Sequence, residues 1–135
     1  MSSFDGVFIP VTTPFSGDDV APARLAANLQ KWNGAPLAGY VVLGSTGEFP
    51  MLIEAREFCD VYALAGGGRW DEAREIARRM MVADRGIAGR YGIGGLKAAL
   101  DLQGFYGGPC RAPLGTPDGD AIEDIKEVLA TAGLL

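Results

Sequence analysis

The chain has 135 residues, of which 48% are hydrophobic and 21% charged, enough for one domain with a buried core. A net charge of −5 argues against a nucleic-acid partner, because phosphate binding rests on clustered Lys and Arg. Histidine is absent, which removes the usual general base, the commonest metal ligand and every Ser/His or Cys/His nucleophile.

Gly6 to Val11 is a short apolar run closed by Thr12, Thr13 and Pro14, the pattern of a buried strand ending in a loop. Asp18 or Asp19 is then placed to cap a helix. Leu25, Leu29 and Trp32 recur at helical spacing, Pro22 suits the first turn, and Gly34 with Pro36 ends it. Gly39 to Leu43 reads as a second buried strand, followed at once by Gly44-Ser45-Thr46-Gly47-Glu48. Strand, helix, strand is a βαβ unit.

After residue 50 the remainder reads as helical. Glu54 to Ala65 carries Phe58, Val61, Tyr62 and Leu64; Gly66-Gly67-Gly68 breaks it. Trp70 to Ala83 follows, with Ala73, Ile76, Ala77 and Met80 on one face. A glycine-rich hinge from Gly86 to Gly95 leads into a helix around Leu96 to Leu102, and a loop from Gly107 to Pro117 precedes a last helix striped by Ile122, Ile125 and Leu129. Two parallel strands followed only by helices is an incomplete inventory, since parallel sheets have both faces covered and more than two strands.

Gly44-Ser45-Thr46-Gly47-Glu48 stands at the carboxyl end of a strand, where α/β folds place ligands; its small residues let backbone N–H groups and two hydroxyls approach a carboxylate. Spacing alone equally allows a plain turn in which Ser45 or Thr46 caps the next helix. The glycines between Gly89 and Gly95 match no nucleotide loop, and Lys97 is followed by Ala98. Arg69, Arg74, Arg78, Arg79, Arg85 and Arg90 are interleaved with Asp71, Glu72, Glu75 and Asp84, a solvated helix face in which Glu75 and Arg79 form an i, i+4 pair. Glu54 with Glu57 and Asp118 with Asp120 belong at helix starts, where the dipole favours acids. Met80, Met81, Trp32 and Trp70 are expected in the core. Cys59 and Cys110 define neither a zinc pattern nor a disulfide framework. Lys31, Lys97 and Lys126 all fall on predicted helices, away from strand ends where a desolvated, nucleophilic amine is expected. The longest apolar stretches fall far short of the ~20 residues a bilayer span needs, and Asp5 precedes the first basic residue, Arg24. A cytoplasmic protein binding neither membrane nor nucleic acid is expected.

Pro10-Val11-Thr12-Thr13-Pro14-Phe15 and then Gly39-Tyr40-Val41-Val42-Leu43-Gly44-Ser45-Thr46-Gly47-Glu48-Phe49 resemble the first two strands of the dihydrodipicolinate synthase/N-acetylneuraminate lyase family. Tyr91-Gly92-Ile93-Gly94-Gly95-Leu96-Lys97 and the run Gly104-Phe105-Tyr106-Gly107-Gly108-Pro109-Cys110-Arg111-Ala112-Pro113-Leu114 are similar to that family's helical carboxyl-terminal region, most of all in the 4-hydroxy-2-oxoglutarate aldolase and fungal deoxy-sugar-acid aldolase branch.

The resemblance implies an α/β fold, an incomplete TIM (β/α)₈ barrel. Residues 1–53 would supply its first two βα units, and residues 54–135 its last helix and the helical region beyond. A complete barrel takes about 250 residues. The family is one of lyases that cleave or form a C–C bond of a 2-oxo acid through a Schiff base on lysine, without a cofactor. Carried over, Ser45 and Thr46 hold the pyruvoyl carboxylate, the first also in the proton relay, while Gly44, Gly47 and Glu48 shape the loop. The imine-forming lysine and the relay tyrosine have no counterpart here. The expectation is an inactive, truncated aldolase, and the competing one a non-catalytic fragment that pairs with itself or a relative through exposed strand edges.

Overall fold

The computed structural model describes residues 5–42 and 53–135. Its first strand, β1 (Phe8–Pro10), lies parallel to β4 (Gly39–Val41), pairing Phe8 with Gly39, Ile9 with Tyr40 and Pro10 with Val41. Between them come a two-residue-per-arm hairpin, β2 (Phe15–Ser16) and β3 (Asp19–Val20), and helix α1 (Pro22–Trp32). The hairpin was not legible in the sequence, and it displaces the expected cap. Asp19 lies in β3, Asp18 in the hairpin turn, and α1 starts after Ala21 without a side-chain cap. Pro22 at its first position takes away one unpaired N–H of that turn, and the Arg24 N–H donates to the Ala21 carbonyl at 3.0 Å.

The rest is helical among the described residues: α2 (Ala55–Gly66), α3 (Trp70–Ala83), a five-residue π-helical turn (Asp84–Ala88), α4 (Gly89–Leu102) and α5 (Gly119–Ala132). The expected hinge from Gly86 to Gly95 is therefore helix. A methyl group at Gly86 would stand 2.8 Å from the Val128 side chain, so this glycine lets α5 approach closely rather than bend the chain. The break is confined to Gly92, at φ 58° and ψ −147°. α5 has conventional ends: Asp118 accepts from the Ala121 N–H at 2.9 Å, and left-handed Gly133 closes it.

One buried cluster draws on both parts of the chain. Ile9, Trp32 and Ile53 come from the part that precedes α2; Ala83, Ile87, Leu96, Leu100, Ile125 and Leu129 come from the helical part. Trp32 stacks on Phe105, ring centres 5.0 Å apart. The other expected core aromatic, Trp70, is 57% exposed, and Met81 is 48% exposed. The buried face of α3 runs through Ala73, Met80 and Ala83, which leaves Met81 about 100° off that face and Trp70 outside it at the first residue. The Arg-rich face is solvated as expected, but the pairs are i, i+3: Arg69 with Glu72, Arg74 with Asp71, and Arg78 rather than Arg79 with Glu75. Exposed pairs of this kind contribute about 0–1 kcal/mol each.

Polar ties reinforce the joint between the two parts. Asn28, 2% exposed, donates to the Tyr106 carbonyl and accepts from the Tyr106 N–H, both at 2.8 Å. Tyr106 Oη donates to the Phe15 carbonyl at 2.7 Å, and Gln103 Nε2 to the Ile53 carbonyl at 2.9 Å. Gly107 packs so tightly that a Cβ there would lie 1.9 Å from the Lys97 carbonyl oxygen.

Two expected outcomes follow for urea unfolding. Asn28→Ala removes both partners of the half-buried Tyr106 N–H and C=O and lowers stability by about 1–3 kcal/mol. Gly107→Ala drives a methyl into the backbone of α4 and lowers stability by about 1–3 kcal/mol, whereas Gly115→Ala, with open space around it, is near neutral.

Candidate functional site

Parallel pairing puts the carboxyl ends of β1 and β4 side by side, and the ladder continues with the Val11 N–H donating to the Val41 carbonyl at 3.1 Å. The segment after β1, Val11-Thr12-Thr13-Pro14, and the segment after β4 therefore leave the sheet at the same end, where ligands of α/β folds bind. Ser45 and Thr46, with Gly44, Gly47 and Glu48, lie outside the described residues.

Among the described residues, the structure fixes the segment that follows β1. Thr12 is 7% exposed, and Pro14 is buried. Lys97 comes up from α4 beneath this segment, its ammonium donating to the Pro109 carbonyl at 2.8 Å and reaching the Thr13 carbonyl at 3.4 Å. The same ammonium sits 5.0 Å from the centre of the Phe15 ring, and the Arg111 guanidinium 4.4 Å from it. Arg111 also donates to the Asp18 carbonyl. Two cations on one aromatic ring, each bonded to carbonyls, fix the loop and the hairpin as a unit.

Lys97 is on a helix as expected, but it is not the solvated helix lysine that its position implied: it is 4% exposed. Burial depresses the pKa of its amine, while Cys110 and Asp101 act in the opposite direction. The signal was present in Gly94-Gly95-Leu96-Lys97-Ala98-Ala99-Leu100, where the lysine has apolar or small residues on every side. A desolvated amine is a potential nucleophile. Here it is walled in, with its protons directed at carbonyls.

The other candidates scatter. Lys31 is exposed, donates to the Gly104 carbonyl and lies over the Phe105 ring. Asp118 and Asp120 stand at the start of α5, as the dipole argument requires. Glu57 lies in the first turn of α2 and lines a cleft of about 560 Å³ with Lys31, Arg56, Gln103, Phe105 and Leu134. Gly34 and Ala35 also border that cleft, placing it by the amino end of β4, away from the loops that leave the strand ends. Glu54 precedes α2 but makes no cap bond and is 0% exposed, so it is not the solvated helix-start acid expected. Cys59 is buried, Cys110 half-buried, and both are free thiols.

No family model matches the chain. It is 36% identical over 113 residues to a 4-hydroxy-tetrahydrodipicolinate synthase of Symbiobacterium thermophilum, covering 77% of this chain and 37% of that protein. A second protein of that name, from Corynebacterium aurimucosum, is 32% identical over 99 residues, covering 71% of this chain and 33% of the relative. The chain thus spans about a third of the length of these relatives. A crystal structure of dihydrodipicolinate synthase superimposes with a TM-score of 0.54 at 23% identity, over 72% of this chain and 32% of that one. That likeness is one of fold: a small α/β assembly matching part of a TIM barrel.

Lys97→Met leaves the Pro109 and Thr13 carbonyls without their donor and is expected to lower stability by about 1–3 kcal/mol in urea unfolding. In native amine acetylation read by peptide mass spectrometry, Lys126, exposed on α5, is expected to react well before Lys97. In sequence the chain is thus similar to two 4-hydroxy-tetrahydrodipicolinate synthases, and in fold to part of a dihydrodipicolinate synthase.

Proposed function

We propose that this chain carries the carboxylate-holding part of a class I aldolase site acting on 2-oxo acids, and that it does not form the Schiff base itself. In this reading the hydroxyls of Ser45 and Thr46 and the backbone of Gly44 and Gly47 cradle the pyruvoyl carboxylate, with Glu48 supporting the loop. The observation that carries it is the pairing of β1 with β4, which sets the Pro10-Val11-Thr12-Thr13-Pro14-Phe15 motif beside the strand that leads into Gly44-Ser45-Thr46-Gly47-Glu48.

Class I chemistry needs an amine that attacks the ketone, loses water and leaves an iminium, which then accepts the electrons of the breaking C–C bond. Lys97 is the one buried lysine among the described residues, and its amine is already bonded to Pro109 and Thr13. We therefore read the chain as an aldolase portion without the central strands, the imine-forming lysine or the relay tyrosine. It is closest in the motif at Gly104 to Leu114 to the 4-hydroxy-2-oxoglutarate and fungal deoxy-sugar-acid aldolases. A cytoplasmic setting and absence of a cofactor belong to the same reading.

A second reading, a non-catalytic fragment that pairs with itself or with a relative, is favoured by one observation: Val41 is 44% exposed and Val42 61% exposed at the end of a strand that has one neighbour among the described residues. No helix among the described residues is long and apolar enough to cross a membrane.

Borohydride reduction in the presence of pyruvate, followed by intact-mass measurement, is expected to give no adduct, and 4-hydroxy-2-oxoglutarate is expected to release no pyruvate. Amide-detected titration with pyruvate is expected to shift Ser45 and Thr46, and Ser45→Ala to remove that response. A reduced adduct on Lys97 together with turnover would overturn the proposal.

A further inference from the structure

Glu54 has no role in the reading above, yet it is the least ordinary acid among the described residues. It is 0% exposed, between Ile53 at 4% and Ala55 at 7%, both members of the central apolar cluster. Neither of its carboxylate oxygens has a hydrogen-bond partner among the described residues. The charged groups that act on it are Glu57, one turn along its own helix, and Asp84, which opens the π-helical turn between α3 and α4. Both are acids. Its neighbour Arg56 offers no relief, being exposed and donating to the Gly34 carbonyl at 3.0 Å. No group of three or more His, Cys, Asp or Glu among the described residues is arranged to hold a metal ion, so a cation does not account for these acids.

A buried carboxylate with no partner and two negative neighbours is stable only while it carries a proton. The residues around the acids are shared: Ala83 and Ile87, on either side of the start of the π-turn, sit in the same cluster as Ile53 and Ala55. Along that turn runs a cavity of about 340 Å³ bordered by Asp84, Ala88, Gly89, Gly92 and Leu96, with the Gly92 break at its edge. Water has room to enter there, and the chain has a place to give.

We propose that Glu54 is a proton-operated latch, which seats the amino end of α2 against the π-turn while uncharged and frees it when ionised against Asp84 and Glu57. Burial first, then Glu57 and Asp84, raise the folded carboxyl from its ordinary 4.5 to about 8. The unfolded chain loses this proton near 4.5, so between there and about 8 the folded state holds more protons than the unfolded one. Stability therefore falls as pH rises through that window, and levels off on either side.

The test is amide hydrogen exchange on the intact chain between pH 4 and pH 9, corrected for intrinsic rates and read at Phe58, whose N–H donates to the Glu54 carbonyl at 3.0 Å in the first turn of α2. Protection at Phe58 is expected to fall at least about tenfold, the equivalent of one pKa unit, from pH 5 to pH 8. It should stay level across that range in Glu54→Gln. Asp84→Asn, which leaves Glu54 in place and removes one of the two repelling charges, is expected to move the transition to lower pH; an unchanged or raised transition would overturn the proposal. PH-independent protection in the native chain, or the same fall in Glu54→Gln, would overturn it.

Discussion

Side-chain-to-carbonyl hydrogen bonds are what hold the strand part of this chain to its helical part. Two short parallel strands leave loop carbonyls at their ends, and buried or crowded backbone groups must find partners. The segment from Lys97 to Arg111 supplies them. Lys97 serves Thr13 and Pro109, Gln103 serves Ile53, Tyr106 serves Phe15 and exchanges two bonds with Asn28, and Arg111 serves Asp18. Apolar burial adds to the same joint through Ile9, Trp32 and Phe105, but it is the polar ties that fix the geometry of the loops leaving the strands.

That division of labour bears on the candidate site. A carboxylate cradle made from backbone N–H groups and hydroxyls works only if its supporting strand ends are rigid. The rim after β1 is held from below by α4 and from the side by the Phe15 ring between two cations. Lys97 thus acts as a support of the strand ends, where its burial would have suggested chemistry. The same physical property, an amine removed from water, serves either purpose; what decides is where its protons point.

The elements with strong periodicity were legible in the sequence: α1, α3 and α5 fall where Leu25, Ala73 and Ile125 and their helical neighbours placed them, and the two strands pair in parallel. The β2–β3 hairpin was not, because four residues of strand carry no usable alternation and its ties to the body are long-range, from Tyr106 to Phe15 and from Arg111 to Asp18. Between Gly86 and Gly95, where both a flexible turn and close packing were open readings of the glycines, close approach is the demand at Gly86, Gly94 and Gly95, and Gly92 alone breaks the helix. Of the candidate site, motif order pointed to a loop that lies outside the described residues. The burial of Glu54 depends on contacts across the whole chain, whereas that of Lys97 was foreshadowed by the small and apolar residues on either side of it.

The two tryptophans sit at opposite extremes of environment. Trp32 is stacked on Phe105 at the joint between the two parts, and Trp70 stands in solvent at the turn between α2 and α3. The chain is consequently its own optical probe. A red shift of the blue-emitting component reports parting of the joint, while the red component stays indifferent to it, so separation of the two parts and unfolding of the α2–α3 hairpin can be told apart without a label.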